Sequence, residues 1–359
     1  MSAIAVVDEA RVDRLRDAYR AVATTRPQAR IRDVADELGV SEAELVMTEV
    51  DGAARRLEGD WGNLLQRLPA LGTVMTLTRN PHVVHEKVGR FESVTVNPGH
   101  GGIGLVLGPD IDLRIFLRHW RYGFAVAKAT KEGVRNSLQF FDETGTAVHK
   151  IFLKPESDVG AYQALVEDFA KPAAGALEIS PAPARKAPRP DGEIDVAALR
   201  TAWLALKDTH DFVPLLMKQK LQRLQALRLA GADLAVEVPN TSLRRTLEWA
   251  ASSAAEIMVF VGNRGCIQIH TGPVKTLRAM GPWFNVLDPG FNLHLREDRI
   301  VSSWVVRKPT SDGVVTSLEL FDRDDELIAT LFGKRKPGEI ERNDWRDFAE
   351  TLAAESRHA

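Results

Sequence analysis

The chain has one cysteine, Cys266, among its 359 residues. A single thiol excludes an internal disulfide framework and a thiolate-only metal cluster within one chain. Charge of one sign is also scarce, because 47 Lys+Arg against 49 Asp+Glu leave a formal net charge of −2. That balance gives no basic footprint for nucleic acid or an anionic membrane. No run of eighteen apolar residues occurs, so a transmembrane helix and membrane insertion are not expected. The opening MSAIAVVDEARVDRLRD lacks a basic stretch followed by a long apolar one, which does not read as a secretory signal, and the expected compartment is the cytoplasm.

What is present is ordinary for a globular protein: 44% hydrophobic and 27% charged residues, in a length that suits two domains with sizeable cores. Residues 9 to 60 read as helical, with Ser41 placed to cap a helix after the Gly39 turn. The piece IRDVADELGVSEAELV also fits a helix-turn-helix, but without basic residues to meet phosphates it reads as a structural helical pair. From Leu71 the runs TVMTLTRN, HVVHEKVG, GIGLVL, DLRIFL, FAVAKAT, SLQFFD and AVHKIFL predict short strands of an antiparallel meander, followed by a helix from Val159 to Phe169. Residues 171–194 carry five prolines and no periodic apolar face, as a semi-extended linker does.

The pattern then begins again. LRDAYRAV at 15 is answered by LRTAWLAL at 199, and TRNPHVVHEKVG at 78 by VGNRGCIQIHTG at 261. LGPDIDLRIFL at 107 is answered by LDPGFNLHLRE at 287, and SLQFFDETG at 137 by SLELFDRDD at 317. Offsets of 180 to 184 between these pairs mark an internal duplication. The expected fold is α+β: two pseudo-symmetric copies, each a helical segment plus an antiparallel sheet. The expected domains are an N-terminal repeat (1–170), the linker (171–194) and a C-terminal repeat (195–359).

Asymmetry between the copies points to a site. His210 and Arg223 in LKDTHDFVPLLMKQKLQRLQALRLAG, and Arg335 further on, lie in the second copy without an equivalent in the first, and Arg114 faces His294. On one unbroken helix His210 and Arg223 would share a face about 20 Å apart, with Pro214 the expected weak point. A neutral imidazole suits iron, and arginine suits carboxylates. Taken alone, the same residues read more readily as a capped or solvated histidine and a solvated helix charge. His82 and His85 read as strand surface or as a metal-binding pair, and His100 as part of a glycine-rich loop. Cys266 reads as a buried thiol, and the tryptophans at 120, 203, 249, 283, 304 and 345 as core.

LKDTHDF, EIMVFVGNRGCIQIHTG, VVRKPTSDGVVTSLELF and LFGKR, with NPHVVHEKVG and DLRIFLRHW in the first half, resemble the cytoplasmic hemin-degrading proteins of the HemS/ChuS group. The likeness runs through nearly the whole chain in order and includes the duplication; the linker and the first dozen residues fall outside it. It implies one heme b bound in a cleft between the halves. His210 would be the axial iron ligand, its other ring nitrogen held by Asp208 or Asp211. Arg114 would face the opposite side of the heme as the catalytic cation, with Phe116 against the ring. Arg223, Lys308 and Arg335 would meet the propionates. Phe332 stands at a heme-contacting position where the family pattern has tyrosine, so any hydroxyl contact there is absent. Oxidative opening of heme with release of iron is the expected activity; the alternative is a carrier that delivers heme to a separate heme oxygenase. Nothing in the chain is read as a flavin or nicotinamide fingerprint of the G-x-G-x-x-G kind, so an external reductant is the expected partner, alongside heme and a heme importer or downstream oxygenase.

Overall fold

The computed structural model describes residues 5–356 except 27, 28, 51, 132, 172–175 and 337. The chain divides into two compact units: Met1–Arg79, Glu86–Ala184 and Gly262–Gln268 form unit 1, while Asn80–His85, Arg185–Val261 and Ile269–Ala359 form unit 2. Each unit therefore includes a short segment from the other half of the chain.

Unit 1 begins with β1 (Ala5–Val7), α1 (Glu9–Thr25), α2 (Ile31–Leu38) and α3 (Glu42–Met47). Then come β2 (Ala54–Leu57), α4 (Trp61–Arg67), β3 (Thr73–Arg79), β4 (Val83–Arg90), whose first three residues belong to unit 2, and β5 (Val94–Asn97). The unit continues with β6 (Ile103–Leu107), β7 (Asp112–Phe116), β8 (Tyr122–Thr130), β9 (Gly133–Phe141), β10 (Ala147–Leu153), α5 (Val159–Phe169) and β11 (Leu177–Ile179). Unit 2 holds α6 (Val196–Leu204), α7 (Phe212–Gln219), α8 (Arg223–Ala230), β12 (Ala235–Val238) and α9 (Ser242–Ser253). β13 (Ile257–Gly262) and β14 (Cys266–Gly272) pass through both units, and β15 (Leu277–Met280), β16 (Trp283–Asp288) and β17 (Phe291–Arg296) follow. β18 (Ser302–Thr310), β19 (Gly313–Phe321), β20 (Leu327–Gly333) and α10 (Asn343–Ser356) end the chain.

Two copies of one strand pattern result. In unit 1, β10 pairs with β3 and β9, β9 with β8, and β8 with β2, all antiparallel. In unit 2, β20 pairs with β13 and β19, β19 with β18, and β18 with β12, in the same sense. The three-stranded pieces β5-β6-β7 and β15-β16-β17 repeat likewise. Even the irregularities are copied: register shifts fall between Ala147 and His149 on β10 and at the matching Leu320/Phe321 step against β20. The extra residue at each bulge has its carbonyl capped by an asparagine, Asn263 Nδ2 to Val148 O and Asn80 Nδ2 to Ile328 O, both 2.8 Å. The α+β duplication is thus observed in backbone detail.

β3 and β4 alternate buried and half-exposed residues, as strands covered on one face do. The core of unit 1 gathers around Leu64, Leu65, Ile115, Leu138 and Phe140. Unit 2 has one core on Leu293, Val305, Leu318 and Trp345, and another where α6, α7 and α8 lay Trp203, Phe212 and Leu227 against Trp304, Val306 and Phe321. Three expectations need correction. Ala54–Leu57 is a strand inside the stretch read as helical. β5 went unread. The proline-rich stretch includes β11, which pairs with β1, while its residues 172–175 lie outside the described set.

Candidate functional site

His210 sits on a single 3-10 turn, Thr209–Asp211, between α6 and α7. Asp208 caps that turn, its Oδ1 accepting from the His210 backbone N–H at 2.8 Å and lying 2.6 Å from His210 Nδ1. Hydrogen bonds from the His210 backbone and then its ring hold the Asp208 carboxyl below its ordinary range. An ionised carboxylate only accepts, so Nδ1 carries the proton. In the neutral ring Nε2 then keeps the lone pair, on an imidazole that is 86% exposed. This is the arrangement in which a carboxylate orients a histidine toward a metal.

The helix expected to run unbroken from His210 to Arg223 is interrupted, and not at Pro214. Pro214 lies in the first turn of α7, where its missing donor has no intrahelical partner to lose. The break comes at Lys220, whose left-handed backbone (φ 56°) ends α7, and Arg223 opens a separate helix, α8. The shared-face argument therefore fails. Phe212 makes the connection instead: buried at the start of α7, it packs edge-on against Trp203 and carries the Arg223 guanidinium 5.3 Å and the Lys308 ammonium 4.8 Å from its ring centre.

Arg223 and Lys308 meet on a residue that the sequence reading missed. Glu319, fully buried on β19, accepts Nε and Nη2 of Arg223 at 2.6 and 2.7 Å, and Nζ of Lys308 at 2.7 Å. Ser317 Oγ adds a donor to the same carboxylate at 3.1 Å. Burial raises the Glu319 pKa, but Arg223 and Lys308 outweigh it and hold the carboxyl well below the usual range. Lys308 is pushed down to about 8, by burial and by the Arg223 charge, against the pull of Glu319. Two cations on one carboxylate leave the cluster with one net positive charge.

Cross-strand register sets Ser317 opposite Phe332 and Glu319 opposite Thr330, so Phe332 shares the face that carries the cluster. Its half-buried ring meets Phe260 edge-on at 5.1 Å. Past the end of β20, Arg335 Nη2 reaches Asp312 Oδ2 at 3.3 Å, and the same oxygen accepts the Gly338 N–H at 3.0 Å. Arg335 Nε, though buried, has no partner among the described residues. Five of the seven expected site residues (His210, Arg223, Lys308, Phe332 and Arg335) thus lie in unit 2.

Arg114 and Phe116 belong to unit 1. On β7, Leu113 and Ile115 point into the core, which leaves Asp112, Arg114 and Phe116 on the half-exposed face. Arg114 pairs with Asp112 and donates to the Leu113 carbonyl at 3.3 Å. Burial raises the Asp112 pKa, against the lowering effect of Arg114.

The remaining candidates resolve differently. His82 Nε2 pairs with Asp322 at 3.0 Å. His85, read as strand surface, is instead buried beside Phe291 at 5.0 Å, because β4 turns it inward. The His100 side chain lies outside the described residues. The spacing G-x-G-x-x-G does occur at Gly99, Gly101 and Gly104, but it leads through a 3-10 turn into β6 rather than into a helix, so it offers no helix N-terminus to a pyrophosphate. Cys266 is buried as expected. All six residues of α3 are buried and Glu44 pairs with Arg11, so the second helix of the helix-turn-helix pattern presents no recognition face. Among the described residues no helix is long and apolar enough to cross a membrane.

The model of the haemin-degrading HemS/ChuX domain matches the chain twice, over residues 39–169 and 220–352. The hemin transport protein HmuS of Yersinia pestis is 44% identical over 88% of this chain and 90% of its own length. Among solved structures, holo-PhuS, a heme-binding protein from Pseudomonas aeruginosa, is 51% identical with a TM-score of 0.92, covering 95% of this chain and 99% of that one. The Escherichia coli heme-degrading enzyme ChuS is 38% identical with a TM-score of 0.86, over 95% and 99% of the two chains.

Proposed function

The chain belongs to the haemin-degrading HemS/ChuX family, and from that premise we propose that it binds heme through unit 2 and opens the macrocycle oxidatively, releasing iron. The observation that carries the reading is the outward imidazole of His210 with its Nδ1 tied to Asp208. A neutral histidine so oriented is a good iron ligand, and iron held by one imidazole keeps a sixth position for an oxidant. The acidic edge of heme needs cations with donors to spare, and unit 2 offers the net positive Arg223–Lys308–Glu319 cluster and Arg335, whose Nε has no partner among the described residues. Phe332 supplies an apolar ring on the same strand face as the cluster. To Arg114 and Phe116 we assign heme contact from unit 1, where a permanent cation and a ring share a half-open strand face. Arg114 is the catalytic residue in this reading, because a guanidinium keeps its proton and stabilises negative charge that develops on the oxidant. Electrons come from an external donor, and the reaction belongs in the cytoplasm.

A second reading, a carrier that passes heme to a separate oxygenase, draws on the transport protein among the relatives and on the high exposure of the His210 ring, which suits ligand exchange. One experiment separates the two. The complex with one equivalent of hemin is given ascorbate or a reductase in the presence of catalase. Loss of the Soret band with iron release supports degradation, whereas a persistent spectrum with transfer to an added oxygenase supports the carrier. In either case His210→Ala is expected to change the Soret and Q bands, and an unchanged spectrum would remove His210 from its role.

A further inference from the structure

Glu319 has no place in the sequence pattern of the site, yet two of the site's expected cations converge on it. We propose that Glu319 is a positioning residue of the heme seat: its carboxylate holds Arg223 and Lys308 together, charged, against Phe212, two residues from His210. The inference rests on the heme reading above and extends it to a residue that need not touch the ligand.

The geometry is specific. Arg223 spends Nε and Nη2 on Glu319, Lys308 Nζ bonds the same carboxylate at 2.7 Å, and both cations stand over one face-buried ring, Phe212. The side chain of Lys308 is 3% exposed, so water cannot replace a lost partner. The groups facing it are Glu319 and Ser317 Oγ on β19, Arg223 on α8 and the Phe212 ring on α7. Of these, only Glu319 is an anion. The first repeat acts as an internal control. There the matching positions are Lys128, which is exposed, and Gln139, whose amide donates to Ser137 Oγ at 3.1 Å. The fold therefore stands without a carboxylate at this strand position: unit 1 gathers its own buried cations, Arg79 and Lys150, on Glu42 of α3 instead.

The test is Glu319→Gln in the full chain, titrated with hemin across a range of pH. Without the carboxylate, burial and the Arg223 charge act on Lys308 unopposed, and its midpoint should move to the acid side of about 8. Hemin affinity should then fall about tenfold at pH 8 and less at pH 6, where the ammonium is regained, a loss of about 1.4 kcal/mol at the higher pH. Nitrogen NMR of the lysine ammonium groups in hemin-free protein should show the shifted midpoint directly. Wild-type affinity with a wild-type pH profile would overturn the proposal. If the single variant does not fold, Glu319→Gln combined with Lys308→Met removes both buried charges. Weaker hemin binding is then expected, without the strengthening toward acid pH that protonation of Lys308 below about 8 gives the wild type, and retention of that strengthening would overturn the proposal. Absence of saturable hemin binding by the wild type would sink the heme reading instead, while an unmoved lysine midpoint in Glu319→Gln would sink this one.

Discussion

Burial of His149 ties stability to pH independently of the candidate site. Its ring is buried, with Nδ1 2.9 Å from Thr78 Oγ1 and Nε2 unpartnered among the described residues, and burial pushes its pKa down to about 3. In the unfolded chain the same ring titrates near 6.5. Above that pH both states are neutral and the full stability is present. Below it the unfolded chain takes up the proton first, so stability falls until the pH reaches the folded value, by at most about 1.4 kcal/mol per pH unit. Urea midpoints measured from pH 7 to pH 4 should decline, and His149→Gln should flatten that decline. At this scale, burial decided what the sequence could reveal. A carboxylate partner for His210 at Asp208 could be anticipated because the two are neighbours in sequence. Glu319 could not, since SLELF reads as a strand with its acid facing solvent until Arg223 and Lys308 are brought to it from other elements.

Elements were legible where one face is covered and obscure where local chemistry works against the element. Val159–Phe169 was read with its observed ends because Asp158 caps it and its apolar residues keep helical spacing. β2 was missed because ARRL places two arginines among its four residues; Arg55 turns outward to Glu167, while Arg56, mostly buried, pairs with Glu58. The break between α7 and α8 has no signature, since lysine is not a residue that favours the left-handed conformation it adopts at position 220. That strain can be relieved. Lys220→Gly should raise the unfolding free energy by about 1 kcal/mol, read as a higher urea midpoint with an unchanged slope. A lower midpoint would show that the lysine side chain contributes more than its backbone costs.

For the whole molecule, the duplication was the most legible feature and the divergence between copies the least. Ala127 and Arg307 are equivalent, each donating its N–H across to the strand-entry loop, at 2.7 Å to Ala53 O and 2.8 Å to Leu234 O. Arg307 closes its face by pairing with Glu350 of α10 at 2.6 and 2.7 Å. In unit 1 the exposed Ala127 borders an open pocket of about 460 Å³, lined also by Ala125, Asn136, Tyr162, Gln163 and Glu167. Ala127→Arg should give Glu167, which stands where α10 has Glu350 and already pairs with Arg55, a second cation, and stabilise unit 1 by about 0.5 kcal/mol, visible as a raised thermal midpoint. Destabilisation would mean that α5 cannot accommodate the added volume.

The crossing of Gly262–Gln268 into unit 1 and of Asn80–His85 into unit 2 bears on ancestry. Trp120 Nε1 and the Phe116 N–H both donate to Gly265 O at 3.0 Å, so the first half relies on atoms encoded far downstream. A progenitor with a single repeat would have had to borrow that loop from a sister molecule, and its folding would have depended on protein concentration. Two copies in one chain make that exchange intramolecular. With that exchange held within one chain, only the second copy needs to carry the imidazole, and the first can serve as scaffold.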